Sequence, residues 1–159
     1  MAWFDCAALP ATTPSASAKR RLSQPLVHSA ESTESPIGAA VTDFTLDNSY
    51  GKPVSLSDFE DQKLVVVAFL GTECPLAKLY GPRLRDLQEK FADDVIVLGI
   101  NSNTQDSMTE LSAFVRRFKI NFPMLKDVGN RVADAMGAER TPEVFVLDRD
   151  RKSTRLNSS

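Results

Sequence analysis

The sequence predicts an α/β fold with helices on both faces of a central sheet, on three observations. Two β-branched runs, "KLVVVAFLG" (residues 63–71) and "DVIVLGI" (residues 94–100), lack polar alternation, as strands covered on both faces do. A helical period follows each: Leu76, Tyr80, Leu84, Leu87 and Phe91 after the first, and Met108, Leu111, Val115 and Phe118 after the second. Strand alternating with helix favours parallel strands joined by right-handed crossovers. A chain of 159 residues is long enough for one such core and short for two.

The elements follow in order. Residues 1–36 are rich in Ala, Ser, Thr and Pro without a sustained period, so a disordered tail is expected there. The first thirty residues resemble an organellar transit peptide no more than any flexible tail. "MAWFDCAALP" is interrupted by Asp5 and precedes the cationic residues 19–21, the wrong order for a secretory signal, so the compartment stays open. The domain is expected over residues 37–150. Its first apolar segments, "DFTL" and "PVSL", flank "DNSYGK", whose Asp, Asn and Gly favour a turn and hence a β-hairpin. The 63–71 run is the best central strand. Gly81-Pro82 falls inside the helix after it and predicts a kink. The second strand and helix lead to "NRVADAMG", a short helix closed by glycine, and to "EVFVLD" (residues 143–148), a further strand. Residues 151–159, "RKSTRLNSS", are expected to be a non-domain tail and resemble translated adapter or vector sequence.

Composition narrows the function. With a net charge of −2 and mixed signs, the chain has no basic stripe, so nucleic acid is not an expected partner. Two cysteines, Cys6 and Cys74, and one histidine, His28 in the tail, do not assemble a structural zinc site or a Cys-His catalytic pair. No apolar stretch approaches the ~18 residues of a membrane span.

Cys74 carries the chemistry. It stands after a buried strand, at the expected N-cap of a helix whose first residue is Pro75, the position that tolerates a missing N–H. Unpaired N–H groups and aligned peptide dipoles there favour a thiolate. The strand end is also where open α/β sheets bind ligands. A free cysteine is equally one of the most buried and inert residues. Position alone leaves both readings open.

Three motifs in order decide between them. "DFTLDNSYGKPVSLSDF", "KLVVVAFLGTECP" and "RTPEVFVLD" resemble the N-terminal hairpin, the first core strand with its active-site cysteine, and the cis-proline loop of the thioredoxin-like redoxins. Specifically, the chain resembles the alkyl hydroperoxide reductase / thiol-specific antioxidant (AhpC/TSA, peroxiredoxin-related) family from about Val41 to Asp148. The resemblance implies a thioredoxin-like fold, Cys74 as catalytic nucleophile, and a substrate-binding rim of Thr72, Glu73, Pro75, Arg140, Thr141 and Pro142, with Thr141-Pro142 cis and holding a partner's backbone. Glu73 takes the place of the usual thioredoxin tryptophan, where its charge disfavours a thiolate, and Arg140 is placed to offset it. In the family the 143–148 strand pairs with an antiparallel strand and a final helix covers the sheet. Only "RDRKSTRLNSS" remains here, so the last strand and helix are expected to be missing and the chain to be marginally stable or aggregation-prone.

The pattern also departs from its relatives. The second cysteine of a C-x-x-C motif is Ala77 here, and the P-x-x-x-T-x-x-C positions of peroxiredoxins hold Val67 and Gly71, with a threonine at Thr72 instead. One thiolate can attack a disulfide or a peroxide, but turnover needs a second thiol. That thiol is external, a small thiol or a thioredoxin-type protein, or it is Cys6. The expected function is a thiol-dependent oxidoreductase with a single reactive cysteine and no metal or organic cofactor. The alternative is a redox-inactive thioredoxin-fold module that binds a protein partner.

Overall fold

The structure is a computed structural model that describes residues 38–156. The tail expected over residues 1–36, with Cys6 and His28, lies outside the described residues. In chain order the strands are β1 (Thr45–Asn48), β2 (Pro53–Ser55), β3 (Leu64–Phe69), β4 (Val95–Asn101), β5 (Met124–Lys126), β6 (Glu143–Leu147) and β7 (Ser153–Leu156). The helices are α1 (Pro75–Lys90), α2 (Met108–Phe118) and α3 (Arg131–Met136), with a 3-10 turn at Leu56–Phe59. They form one seven-stranded sheet in the order β2-β1-β5-β4-β3-β6-β7.

The hairpin forms where expected. Asn48 Oδ1 accepts from the backbone N–H of Tyr50 and of Lys52, and Gly51 takes the positive φ that the turn requires. Strands β3, β4 and β5 are parallel, and β6 runs antiparallel to β3. The expected parallel set therefore needs correcting at its third member. The strand expected at residues 143–148 is β6, and the third parallel strand is β5, three residues without a period. Yet β5 is the piece that joins the hairpin to the core, pairing with β1 on one side and β4 on the other.

The two faces of β3 feed two cores. Val65, Val67 and Phe69 pack with Leu98, Ile100, Phe145 and the α3 residues Val132 and Met136. Val66, Ala68 and Leu70 pack with Val97, Ala77 and Leu84 of α1, and Leu111 and Val115 of α2. Helices cover both faces, as the strand pattern implied.

The buried stripe of α1 differs from the one its large apolar residues suggested. Leu76 is 55% exposed and Phe91 45%, while Ala77, Gly81, Leu84 and Gln88 face inward. Close approach explains the rotation: a Cβ at Gly81 would stand 3.0 Å from Ile120 Cδ1, so small residues are needed where the helix meets its neighbours. The helix runs through Pro82 as one element of 16 residues.

Gln88 has a role that its polarity hides. Strand β5 reaches β4 only from Gly99 onward, leaving the earlier inward-pointing backbone groups of β4 without a strand on that side. The Gln88 amide supplies the partners: Nε2 donates to Val95 O at 3.0 Å, and Oε1 accepts from Val97 N at 2.7 Å. It acts as one residue of a missing strand. Gln88→Leu should therefore cost about 2–4 kcal/mol in denaturant unfolding, because two buried backbone groups lose their partners at roughly 1–3 kcal/mol each. A change below ~1 kcal/mol would show that water replaces the amide.

The C-terminal end also corrects the sequence expectation. Ser153–Leu156, in the segment expected to lie outside the domain, forms β7 and pairs antiparallel with β6. The strand expected to be missing is thus present. A tight turn delivers it: Arg151 has φ 59° and its N–H donates to Asp148 O at 3.0 Å, while Lys152 N donates to Asp148 Oδ1. The open edge of β6 is paired by whatever extended chain that turn presents, a tertiary opportunity that composition does not report. No helix follows β7 among the described residues. None of the described helices is long and apolar enough to cross a membrane.

Candidate active site

Cys74 is the N-cap of α1, with extended backbone (φ −68°, ψ 120°) and Pro75 at the first helical position. The side chain is half-buried. Its Sγ–H donates to the backbone carbonyl of Thr141 at 3.4 Å. The Thr141-Pro142 bond is cis, so the two distant segments meet at the sulfur. Gly71 lies between them, the position of its absent Cβ being 3.5 Å from Thr141 Oγ1 and 3.8 Å from Cys74 Cβ.

The loop that carries Thr141 is shaped by a buried carboxylate. Glu143 Oε2 accepts from Glu139 N at 2.8 Å and Arg140 N at 3.4 Å, and its Oε1 meets Arg155 Nε of β7 at 2.6 Å. The Glu143 side chain is 4% exposed, so its charge depends on that partner.

A second polar network stands beneath residues 71–74. Thr72 is buried, and its N–H donates to Asp106 Oδ2 at 2.9 Å. The same oxygen accepts from Asn101 Nδ2 at 2.6 Å, and Oδ1 accepts from Asn103 Nδ2 at 3.1 Å. Asn101, fully buried at the end of β4, also donates to Leu70 O and accepts from Lys126 Nζ at 2.8 Å. Burial pushes the Asp106 carboxyl up, but the hydrogen bonds from the Thr72 N–H and the Asn101 amide and the charge of Lys126 outweigh it and hold it below the usual carboxylate range. Burial lowers the Lys126 ammonium, against the carboxylates of Asp106, Asp127 and Glu110. A depressed carboxyl contributes stability at neutral pH. That contribution is lost only as the pH falls below about 4, through the folded value. Acid titration of the folded protein should accordingly loosen this network in that window and not near pH 6.

Of the expected rim, Thr141 reaches the sulfur through its carbonyl, Thr72, Glu73 and Pro75 flank Cys74 in the chain, and Pro142 follows Thr141; Glu73, Pro75 and Thr141 are exposed and Thr72 and Pro142 buried. Arg140 does not offset Glu73: it pairs with Glu139 at 3.9 Å, while Glu73 faces Lys78 Nζ at 3.9 Å. Both pairs are exposed at the carboxylate and weak, since solvent screens them. Ala77, where a C-x-x-C motif has its second thiol, is fully buried in the core. Beside Thr72 and Glu73 a cleft of about 160 Å³ is lined also by Lys78, Phe114, Arg117 and Phe118. The sequence reading missed Asp106 and Lys126. Asp106 precedes a capping box and Lys126 sits in an unrecognised strand, so neither carried a local signal. Among the described residues no cluster of His, Cys, Asp and Glu is arranged to hold a metal ion.

Comparison with known proteins places these motifs. The family model "AhpC/TSA family" matches residues 37–154. A chloroplastic peroxiredoxin Q of Sedum lineare is 32% identical over 121 residues, covering 71% of this chain and 63% of that protein. The chain thus spans less than two thirds of that relative. Among solved structures, a hypothetical protein of Sinorhizobium meliloti matches with a TM-score of 0.70 and 32% identity, over 74% of this chain and 67% of that one. Peroxidoxin BcpB of Mycobacterium tuberculosis matches with a TM-score of 0.65 and 27% identity, over 74% and 81%. The fold is the thioredoxin-like fold of these redoxins.

Proposed function

The chain belongs to the AhpC/TSA family, and from that premise we propose that it is a thiol-dependent oxidoreductase in which Cys74 is the single reacting thiol and an external thiol completes turnover. One observation carries the reading: Cys74 is the N-cap of α1 and at the same time touches the carbonyl of Thr141, so the sulfur stands at a helix N-terminus and beside the proline loop. Nothing else among the described residues offers a nucleophile in such a place, since Cys74 is their only cysteine.

The chemistry balances in two steps for a disulfide and three for a hydroperoxide. With a disulfide, the Cys74 thiolate attacks one sulfur, forms a mixed disulfide and expels the other sulfur as a thiolate. With a hydroperoxide, the thiolate takes the distal oxygen to become a sulfenic acid. The alkoxide takes a proton and leaves as alcohol, and an incoming thiol then displaces water to give the mixed disulfide. The first external thiol in the disulfide case, and a second one in the hydroperoxide case, then attacks the other sulfur of the mixed disulfide, forms a new disulfide with it and releases the Cys74 thiolate. The substrate sits in the groove framed by Thr72, Glu73, Pro75 and Arg140, its backbone or polar group against Thr141 and Pro142. The reductant is a small thiol or a thioredoxin-type protein.

The test is stoichiometric. Reduced protein retaining both cysteines, mixed with one equivalent of an aromatic disulfide, should release one equivalent of aromatic thiol and hold the other as an adduct on Cys74. The adduct should persist until external thiol is added. Release of two equivalents without added thiol would overturn the external resolution, and absence of an adduct would overturn the nucleophile.

A further inference from the structure

We propose that Asp106 is a positioning residue for Cys74: its carboxylate holds the 71–74 turn by the Thr72 backbone N–H and is itself held in place by Asn101 and Lys126. The inference rests on the reading of Cys74 as the nucleophile.

The carboxylate has no local task to explain its burial. Asp106 is 3% exposed, a cost that a loop residue avoids by turning to water. It does not cap α2, because Ser107 and Glu110 already do: Ser107 Oγ accepts from Glu110 N, and Glu110 Oε2 accepts from Ser107 N. One oxygen instead reaches 34 positions back along the chain to Thr72, two residues before the sulfur.

Within the turn itself the other ties are one long backbone bond and one weak sulfur bond. Cys74 N donates to Gly71 O at 3.3 Å, and Sγ meets Thr141 O at 3.4 Å. The Thr72–Asp106 bond, at 2.9 Å, is shorter than the Cys74 N–Gly71 O bond, is charge-assisted and is sheltered from water. Behind it, Asn101 Nδ2 bridges Asp106 and Leu70 O, and Lys126 Nζ fixes the opposite face of the same amide. The ends of β3, β4 and β5 are thus locked to the turn by side chains from β4, β5 and the loop before α2. A rigid second layer of this kind sets where the sulfur points, and a misplacement on the order of 1 Å can cost a displacement reaction ~100-fold.

Two probes of Cys74, used in a Cys6→Ser background, separate positioning from mere folding. Iodoacetamide needs only an accessible thiolate, whereas an aromatic disulfide needs the three sulfurs in line. Asp106→Ala should lower the disulfide rate about tenfold or more relative to the alkylation rate, in protein shown to be folded by thermal unfolding. Asp106→Asn keeps an oxygen for Thr72 N and Asn101 Nδ2, and should restore the ratio to within about threefold of the parent. Should the alanine variant not fold, Lys126→Met removes the support and leaves the Thr72 contact, with a smaller selective loss expected. An unchanged ratio in a folded Asp106→Ala or Lys126→Met protein overturns the positioning role alone. A parent protein that reacts with the disulfide no faster than free N-acetylcysteine overturns the nucleophile reading, and the positioning claim with it.

Discussion

Cys74→Ser is expected to abolish thiol-dependent reduction of a disulfide or hydroperoxide, lowering the rate to that of added thiol alone, a loss on the order of a thousandfold or more. The serine hydroxyl can still donate to Thr141 O, and the replaced atom is half-buried and at a helix N-cap, where serine is favoured. Stability should therefore change by less than about 1 kcal/mol. Initial rates of disulfide loss, followed by absorbance with and without external thiol, measure the first effect, and thermal unfolding the second. Retained turnover would place the reacting group elsewhere and favour the reading of this groove as a binding surface only.

The second large effect is expected from ending the chain at Lys152, which removes β7. Strand β6 would lose four register partners, Leu156, Arg155, Thr154 and Ser153, and expose a backbone edge beside the buried residues Phe145 and Leu147. Glu143 would also lose Arg155, its ion-pair partner at 2.6 Å. The lost strand pairing, at about 0.5–1.5 kcal/mol per hydrogen bond, and the lost ion pair together remove a large part of the ~5–15 kcal/mol of a whole domain. The shortened chain should lose its cooperative transition or aggregate on size-exclusion chromatography. Arg155→Met keeps the strand and isolates the charge. Because Arg155 is one third exposed, it should lower Tm by only roughly 5–10 °C. An unchanged transition in the shortened chain would mean that β7 adds nothing to the fold.

These two experiments bracket what the sequence made legible. The place of Cys74 was legible because two local signals coincide there, a buried β-branched run ending and a proline-started helix beginning, while its reading as the nucleophile came from the resemblance. Thr141-Pro142 was identifiable only through the resemblance, because nothing in the residues around it indicates that Cys74 lies close. Arg140 and Glu73 form no ion pair with each other, for a simple reason. Both side chains are long and exposed, and each found a carboxylate or ammonium nearer at hand, Glu139 and Lys78 respectively.

By itself the sequence determined the hairpin, β3, β4, both long helices and the place of Cys74 between strand and helix, because periodicity, turn residues and caps are local properties. Tertiary structure alone decided the rest. The three residues of β5 are too few to show a period, and they become a strand only because β1 and β4 offer backbone partners on either side. The direction of β6 depends on which neighbour it pairs with, and β7 forms because β6 has an open edge. Leu76 faces out and Gln88 in because α1 must come close to its neighbours and must complete the hydrogen bonding of β4. Asp106 reaches the active-site turn across 34 positions for the same reason: buried backbone and side-chain polar groups must find partners wherever the fold brings them, and sequence neighbours do not record where that is.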